Sequence, residues 1–191
     1  MNTFQKYTLL IFLTVLFTFK SEAQNIGGGL ILGFNASQVS GDNAAGYDKI
    51  GLNAGAIGMV PFSDKWSGNI EINYAQRGSR INGWNYNINY VDVPVYAAFS
   101  DKGKYHFGIG FIYGTQISKT LNAFEGFKDY NIEYLVNFQT AISSSIDINF
   151  RYSRSIIPMD VVYSSIAGRN LPMLHYLISV RFIYLLKRMK R

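Results

Sequence analysis

Two histidines, His106 and His175, are the side chains of this sequence best suited to acid–base catalysis or metal binding. Each lies in a segment that alternates apolar and polar residues, which predicts a strand, and by parity both face its polar side. Their places in the predicted strands put them roughly 25–30 Å apart at ~3.3 Å a residue. They cannot share a site, no Ser–His–acid order stands out, and neither has a second ligand at a metal spacing. We therefore predict that the protein is not an enzyme and holds no cofactor and no metal.

Charged residues alternate with large apolar residues in the predicted strands. In the segment "IDINFRYSR" (146–154), apolar side chains take every second position from Ile146 to Tyr152, and Asp147 and Arg151 lie between them. A soluble sheet would bury the apolar face, whereas a membrane strand would turn it to lipid and keep the charges inside. Eight charges are predicted to face inward and to form a structural network: Glu71, Asp92, Glu133, Asp147, Arg77, Arg151, Arg154 and Arg181.

The inward charges need partners, because an unpaired buried ion is costly. Arg151 and Arg181 are predicted to lie on neighbouring strands and to pair with Glu71 or Glu133 across the interior. A structural plug is the favoured interpretation of this network, and an ion path or gate is the alternative.

Composition narrows the class of protein further. Charged residues make up 16% of the chain, against about 25% in ordinary soluble proteins. The net charge of +6 is concentrated in the tail, where Lys187, Arg188, Lys190 and Arg191 carry four of the positive charges. The remainder offers no basic surface, so no nucleic-acid partner is expected.

The 14 tyrosines suit a membrane interface, and eight are predicted to form aromatic girdles: Tyr74, Tyr90, Tyr105, Tyr113, Tyr134, Tyr152, Tyr176 and Tyr184.

The first 23 residues have the three parts of a cleavable signal peptide. Lys6 is the positive n-region, 7–19 is the apolar h-region, and Ser21–Ala23 is a small-x-small cleavage site. We therefore predict a signal peptide over 1–23, a barrel domain over 24–186 and a basic tail over 187–191. The chain contains no cysteine, so no disulfide can hold the fold.

Eight segments of about 11 residues have strand character, close to the ~9–11 residues that a tilted strand needs to cross a bilayer. They are 27–37, 49–60, 67–77, 88–99, 105–117, 131–142, 146–156 and 173–184. Long connections (38–48, 78–87, 118–130, 157–172) alternate with short ones (61–66, 100–104, 143–145), as in outer-membrane barrels. Since a sheet in lipid must close on itself, the predicted fold is all-β: an eight-stranded antiparallel up-and-down transmembrane β-barrel.

The long connections are where a partner or ligand would meet such a barrel. Exposed aromatic and basic residues in them are the candidates for surface binding: Trp84, Tyr86, Phe124, Phe127 and Arg169. These residues could equally cap the barrel mouth, and nothing in the sequence selects a ligand.

Four stretches carry a family resemblance: "SEAQ" at the cleavage site, "GGGLILGFNASQVSGD…KIGLNAGAIG", "YAQRGSR" and "INYVDVPVYAAF". Together they resemble the PorT-like family of outer-membrane β-barrels over essentially the whole mature chain. The resemblance implies an eight-stranded barrel inserted by the outer-membrane assembly machinery. Some relatives are linked to protein secretion, a role that does not carry over residue by residue to this sequence. The chain departs from the family in continuing past Tyr184 to Arg191.

The sequence thus predicts an integral protein of the Gram-negative outer membrane with a side-chain-filled lumen. Its expected role in the cell envelope is structural or surface-binding, with an accessory role in secretion implied by the resemblance alone. Expected partners are outer-membrane lipid and lipopolysaccharide, the assembly machinery, and an unidentified protein. Two alternatives remain: a narrow pore for ions or small solutes, and a soluble lipocalin-like ligand-binding barrel.

Overall fold

The computed structural model describes residues 26–40, 46–47, 49–81, 84–101, 104–119, 128–158, 160–164 and 169–188. Within these ranges, nothing is described of the side chains of 80–81, 84–86, 160–164 and 169–171. The predicted signal peptide and residues 189–191 of the predicted tail lie outside the described residues. No helix in the described ranges is long and apolar enough to cross a membrane.

The described residues form nine antiparallel strands. They are β1 Gly27–Ser40, β2 Lys49–Pro61, β3 Trp66–Ile81, β4 Trp84–Asp101, β5 Tyr105–Lys119, β6 Tyr130–Ala141, β7 Ile146–Ser155, β8 Asp160–Ser164 and β9 Arg169–Lys187. The first seven pair in chain order, and β9 pairs with both β7 and β1, which closes the sheet.

The ninth strand does not add a ninth wall to the barrel. Arg154 at the end of β7 pairs with Tyr176 of β9, and Asp160 at the start of β8 pairs with Met173 of the same strand. Hence β7 and β8 follow one another along one edge of β9, with a break between them. The predicted eight-stranded antiparallel barrel is confirmed, with its seventh wall in two pieces.

The two ends of the barrel differ. One end carries the start of β1, the end of β9 and the short connections from β2 to β3, from β4 to β5 and from β6 to β7, and we call it the short-turn end. The opposite end carries the remaining connections, and we call it the long-connection end. Outer-membrane barrels keep short turns on the periplasmic side.

The strands at the long-connection end run further than predicted, so part of the predicted loops is wrong. β3 continues to Ile81 and β4 begins at Trp84, so that most of 78–87 is a paired hairpin in which Gly78 faces Asn87. Likewise β8 and the start of β9 occupy much of 157–172. Above the hydrocarbon both faces of a strand are wet, so the contrast between apolar and polar positions fades while the backbone pairing continues.

Side chains alternate between a lipid-facing and a lumen-facing environment along each wall. In β7, Asp147, Asn149 and Arg151 are buried, while Ile146 and Phe150 at the alternate positions are exposed. The exposed belt around the barrel includes Leu30, Leu32, Phe34, Ile70, Ile72, Phe107, Ile109, Phe111, Val180 and Phe182. A continuous apolar surface of this extent is unfavourable in water. The arrangement is the reverse of a lipocalin, which would turn its charges outward.

Two clusters of buried apolar side chains also lie in the lumen; we call them the larger and the smaller apolar layer. Most of the larger layer comes from strand ends near the short turns and comprises Ile31, Ile57, Met59, Tyr96, Ala98, Ile112, Leu135, Ile183 and Leu185. The smaller layer, Val39, Ile88, Tyr90 and Met173, lies toward the long-connection end. Buried charges lie beside members of the larger layer on adjacent strands, since Glu71 faces Ile57 and Asp147 faces Ile183 in the strand registers.

Candidate functional site: the charged lumen

One carboxylate receives two guanidinium groups at the centre of the lumen; we call Glu71, Arg151 and Arg181 the Glu71 cluster. Arg151 donates to Glu71 from Nη2 to Oε1 at 2.7 Å and from Nη1 to Oε2 at 3.0 Å. Arg181 donates from Nη1 to Oε2 at 2.8 Å. Of the two acids expected as partners, Glu71 is the one that both arginines contact. Because β3 is not a neighbour of β7 or β9, these ion pairs cross the lumen.

Polar neighbours complete the Glu71 cluster. The Tyr96 hydroxyl donates to Glu71 Oε1 at 2.8 Å, and Asn73 Nδ2 donates to Oε2 at 2.7 Å. Asn149 Oδ1 accepts from Arg181 Nε and Nη2 at 3.0 and 2.6 Å. Both carboxylate oxygens therefore accept several donors, an arrangement that offsets the cost of burying three charges.

Glycine makes room for the arginine of β9. Gly33 faces Arg181 in the β1–β9 register. A Cβ at Gly33 would lie 2.3 Å from the Val180 carbonyl oxygen and 3.0 Å from Arg181 Cγ. Glycine is thus required at this position, where a side chain would clash with the backbone of β9.

A second cluster has the opposite balance of charge; we call Arg77, Asp92 and Glu133 the Arg77 cluster. The Arg77 guanidinium donates to Asp92 Oδ2 from Nη2 and to Glu133 Oε1 from Nη1. It also lies over the Tyr90 ring, with Cζ 4.6 Å from the centroid, a favourable cation–π geometry. At formal charges this cluster carries −1 and the Glu71 cluster carries +1, so the two attract across the lumen.

Asp147 lies inside but does not join either cluster. Its Oδ2 accepts from Gln139 Nε2 at 2.8 Å, and its Oδ1 accepts from Arg188 Nη2 at 2.7 Å. Arg188 also donates to the carbonyls of Ser143 and Ser144 in the turn between β6 and β7. β9 includes Lys187, the first residue of the predicted tail. These hydrogen bonds attach Arg188 to the turn between β6 and β7 and to Asp147.

Arg154 is not part of the lumen network, and its predicted inward orientation is wrong. β7 pairs with β6 without a register shift, so Arg154 shares a side with Phe150 and Tyr152. Its guanidinium lies over the outward Tyr176 ring, 5.0 Å from Cζ to the centroid. The period of two along an unbroken strand requires this outcome.

Tyrosines mark both borders of the apolar belt, with one exception to the prediction. On β9, Tyr176 and Tyr184 bracket the outward residues Ile178, Val180 and Phe182. Tyr90 was predicted to lie in a girdle, but it is fully buried beneath Arg77 and edge-on to His175, with ring centroids 5.8 Å apart.

The two histidines lie at different ends of the barrel. His106 is half-buried at the second position of β5, near the short turns. His175 is fully buried on β9, and neither ring nitrogen has a hydrogen-bond partner among the described residues. Within those residues, no three His, Cys, Asp or Glu side chains gather in a way that could hold a metal ion. The absence of catalysis stays a prediction.

The candidates for surface binding are placed only in part. Trp84 and Tyr86 belong to β4 and Arg169 to β9, so they lie in strands instead of loops. Phe124 and Phe127 lie outside the described residues. Their predicted role in binding stays untested.

Sequence reasoning missed several contributors to the lumen, among them Tyr96, Asn149 and Arg188. Tyr96 and Asn149 occupy inward positions by parity, so the alternation could have identified them as partners of the buried ions. Arg188 follows the last predicted strand, and no local pattern indicated that it would reach Asp147. Chemically, the lumen can hold strands together, since the ions of both clusters are buried and paired with one another.

Solved structures with a similar fold are outer-membrane or surface proteins. Ail, the attachment invasion locus protein of Yersinia pestis, matches with a TM-score of 0.52 at 12% identity, over 83% of this chain and 97% of Ail. Neisserial surface protein A matches with a TM-score of 0.52 at 8% identity, over 82% of this chain and 96% of that protein. At such identities the likeness shows the fold alone.

Sequence comparison establishes the family. No curated protein matches the chain at a significant level. The family model of the outer membrane protein beta-barrel domain matches residues 22–161, which is more than half of the 191 residues. The apolar belt, the paired charges inside and the closed sheet agree with this match. The chain belongs to the outer membrane protein beta-barrel domain family.

Proposed function

We propose that this protein is a closed, non-conducting barrel of the outer membrane whose paired lumen charges hold opposite walls together. We call this set of ion pairs the brace. The Glu71 cluster carries this proposal, because its two ion pairs join walls on opposite sides of the lumen and all three charged side chains are at most 5% exposed. Buried apolar side chains of both layers also lie in the lumen.

A narrow pore is the competing function. A pore needs a continuous file of water past its charges, whereas eight strands leave a lumen just wide enough for side chains to fill. Here Arg151 and Arg181 direct their donors at one carboxylate and not at an open path.

Planar-bilayer recording distinguishes the brace from the pore. The purified barrel should show no reproducible unit conductance. A matched pair of variants tests the cause: Arg151→Ala removes part of the brace and should produce brief openings, while Arg154→Ala on the outer wall should not. Stable unit steps from the unaltered protein would contradict the proposal.

We also propose that the long-connection end faces the cell exterior and meets partners there. β4 has 18 residues, whereas a tilted strand needs ~9–11 to cross the bilayer. The hairpin of β3 and β4 therefore extends beyond the membrane and holds Trp84 and Tyr86. An epitope inserted at residues 82–83 should be labelled by antibody on intact cells. One inserted in the turn 62–65 should be labelled only after the outer membrane is permeabilised, and the reverse pattern would overturn the orientation.

Further roles follow from the fold and the family without assignment to residues. We propose outer-membrane lipid and lipopolysaccharide as the surroundings of the belt, and insertion by the outer-membrane assembly machinery. The signal peptide is the proposed means of export. The PorT-like resemblance and its link to secretion remain proposals, tested by whether a deletion strain retains secretion.

A further inference from the structure

Arg154 occupies an unusual position on the lipid-facing wall. Among the charged side chains that the structure describes, it alone points outward from a strand without being a terminal residue. Its outward neighbours along β7 are Phe150 and Tyr152. No carboxylate among the described residues pairs with it, whereas the buried arginines of the lumen each have one. An arginine facing lipid is costly at the bilayer midplane and nearly neutral near the interface.

Tyrosines surround this arginine on both sides. The β6–β7 register sets Tyr134 opposite Arg154, and the β7–β9 register sets Tyr176 opposite it on the other side. Its guanidinium lies 5.0 Å from the Tyr176 centroid, and the rings of Tyr134 and Tyr152 lie 6.1 Å apart. The site is thus one cation among three phenol groups, whose hydroxyls can donate hydrogen bonds.

The height of Arg154 places it at the border of the membrane. It lies eight positions after Ile146, the first residue of β7 at the short-turn end. With a rise of ~3.3 Å a residue and a tilt of about 40°, this corresponds to a height of roughly 20 Å in an apolar band ~25 Å tall. Tyr176, directly opposite, begins the outward series that ends at Tyr184 on the other border. Arg154 therefore lies near the edge of the apolar band on the long-connection side, from where its long side chain can reach the lipid headgroups.

We propose that Arg154, with Tyr134, Tyr152 and Tyr176, binds a phosphate group of lipopolysaccharide in the outer leaflet. Guanidinium binds phosphate oxygens through two parallel donors, and tyrosine hydroxyls can donate to the remaining oxygens. The bound anion supplies the counter-charge that no described carboxylate supplies. This inference rests on the proposed orientation and on lipopolysaccharide as a partner, and it adds the site that holds it.

Native mass spectrometry of the purified barrel tests the site, with bisphosphorylated lipid A as the probe. Arg154→Gln should weaken binding about tenfold, the loss expected when one charge-assisted contact is removed. Arg154→Lys keeps the positive charge but lacks the two parallel donors of the guanidinium. It should lose less lipid A affinity than Arg154→Gln. Arg188→Gln, which changes an arginine at the opposite end, should bind like the unaltered protein. Each variant is first shown to be folded by its gel shift on boiling.

Binding measurements with other ligands distinguish the phosphate of lipid A from free phosphate and from the phosphate of a phospholipid. Dephosphorylated lipid A should bind the unaltered protein as weakly as the phosphorylated form binds Arg154→Gln. Excess inorganic phosphate should not displace the lipid, and displacement at millimolar concentration would overturn the lipid assignment. Equal binding of phosphatidylglycerol would overturn the choice of leaflet. Unchanged lipid A binding by Arg154→Gln would overturn the site itself, while the epitope test reports separately on orientation.

Discussion

Replacing Glu71 by glutamine removes the single carboxylate that two buried arginines share. The substitution preserves the shape of the side chain and one acceptor oxygen, so it changes charge with little change in volume. The new amide would also point N–H donors at guanidinium groups that are themselves only donors. At formal charges the Glu71 cluster would rise from +1 to +2 among walls that water cannot reach.

The magnitude follows from the contacts that disappear. Both ion pairs of the cluster, 2.7 Å to Arg151 and 2.8 Å to Arg181, lose their anion in one step. Removing one partner of a buried ion pair costs about 3–5 kcal/mol, because the other charge remains buried and uncompensated. Since two cations are left here, we expect a loss of free energy of unfolding at or above ~4 kcal/mol.

Reversible urea unfolding of the barrel in lipid vesicles measures this loss. The folded fraction is read from the band of unboiled protein on a detergent gel, and the shift of the midpoint gives the change in free energy. The double variant Glu71→Gln/Arg181→Met restores a formal charge of +1 and should recover part of the loss, since buried ions can often be replaced by apolar groups.

Asp147→Asn is the matched control, because Asp147 pairs with an arginine whose side chain is 36% exposed. That variant should lose less than about 1 kcal/mol. If Glu71→Gln unfolds at the same urea concentration as the unaltered protein, the arginines do not depend on Glu71 and the brace is refuted. Failure of the double variant to recover stability would refute the role of charge.

Three further predictions use the same unfolding assay. Ile109→Arg, in the middle of the apolar belt, should cost about 2–4 kcal/mol, while Ile117→Arg near the strand end should cost about 0–1; equal costs would contradict the lipid-facing belt. Gly33→Ala should cost roughly 1–3 kcal/mol through overpacking, whereas Gly58→Ala, whose Cβ would meet its nearest atom at 3.6 Å, should change stability little. Arg188→Ala should lower stability by less than about 1 kcal/mol, because its ion pair is partly exposed; a larger loss would show that the tail is essential to closure.

The alternation of apolar and polar residues predicts much of this fold. Along β7 it separates Ile146 and Phe150 from Asp147 and Arg151, as the structure shows. The error at Arg154 arose because parity was not followed to the end of the strand, and the period of two was sufficient to correct it.

Other features depend on three-dimensional closeness that no local pattern encodes. Glu71 is 80 residues from Arg151 and 110 from Arg181, so parity could propose candidate partners but could not choose Glu71 over Glu133. The extension of β4 back to Trp84 was missed although "WNYNIN" (84–89) still alternates. The polar composition of this segment favours a loop, whereas backbone pairing continues in water.

The most direct test of a membrane barrel with apolar walls and a braced lumen is the migration of the protein in isolated outer membranes on a detergent gel. The account predicts that the unboiled protein resists the detergent, migrates faster than the boiled form and stays with the outer-membrane fraction. Recovery of the protein in the soluble periplasm, with no shift on boiling, would contradict it.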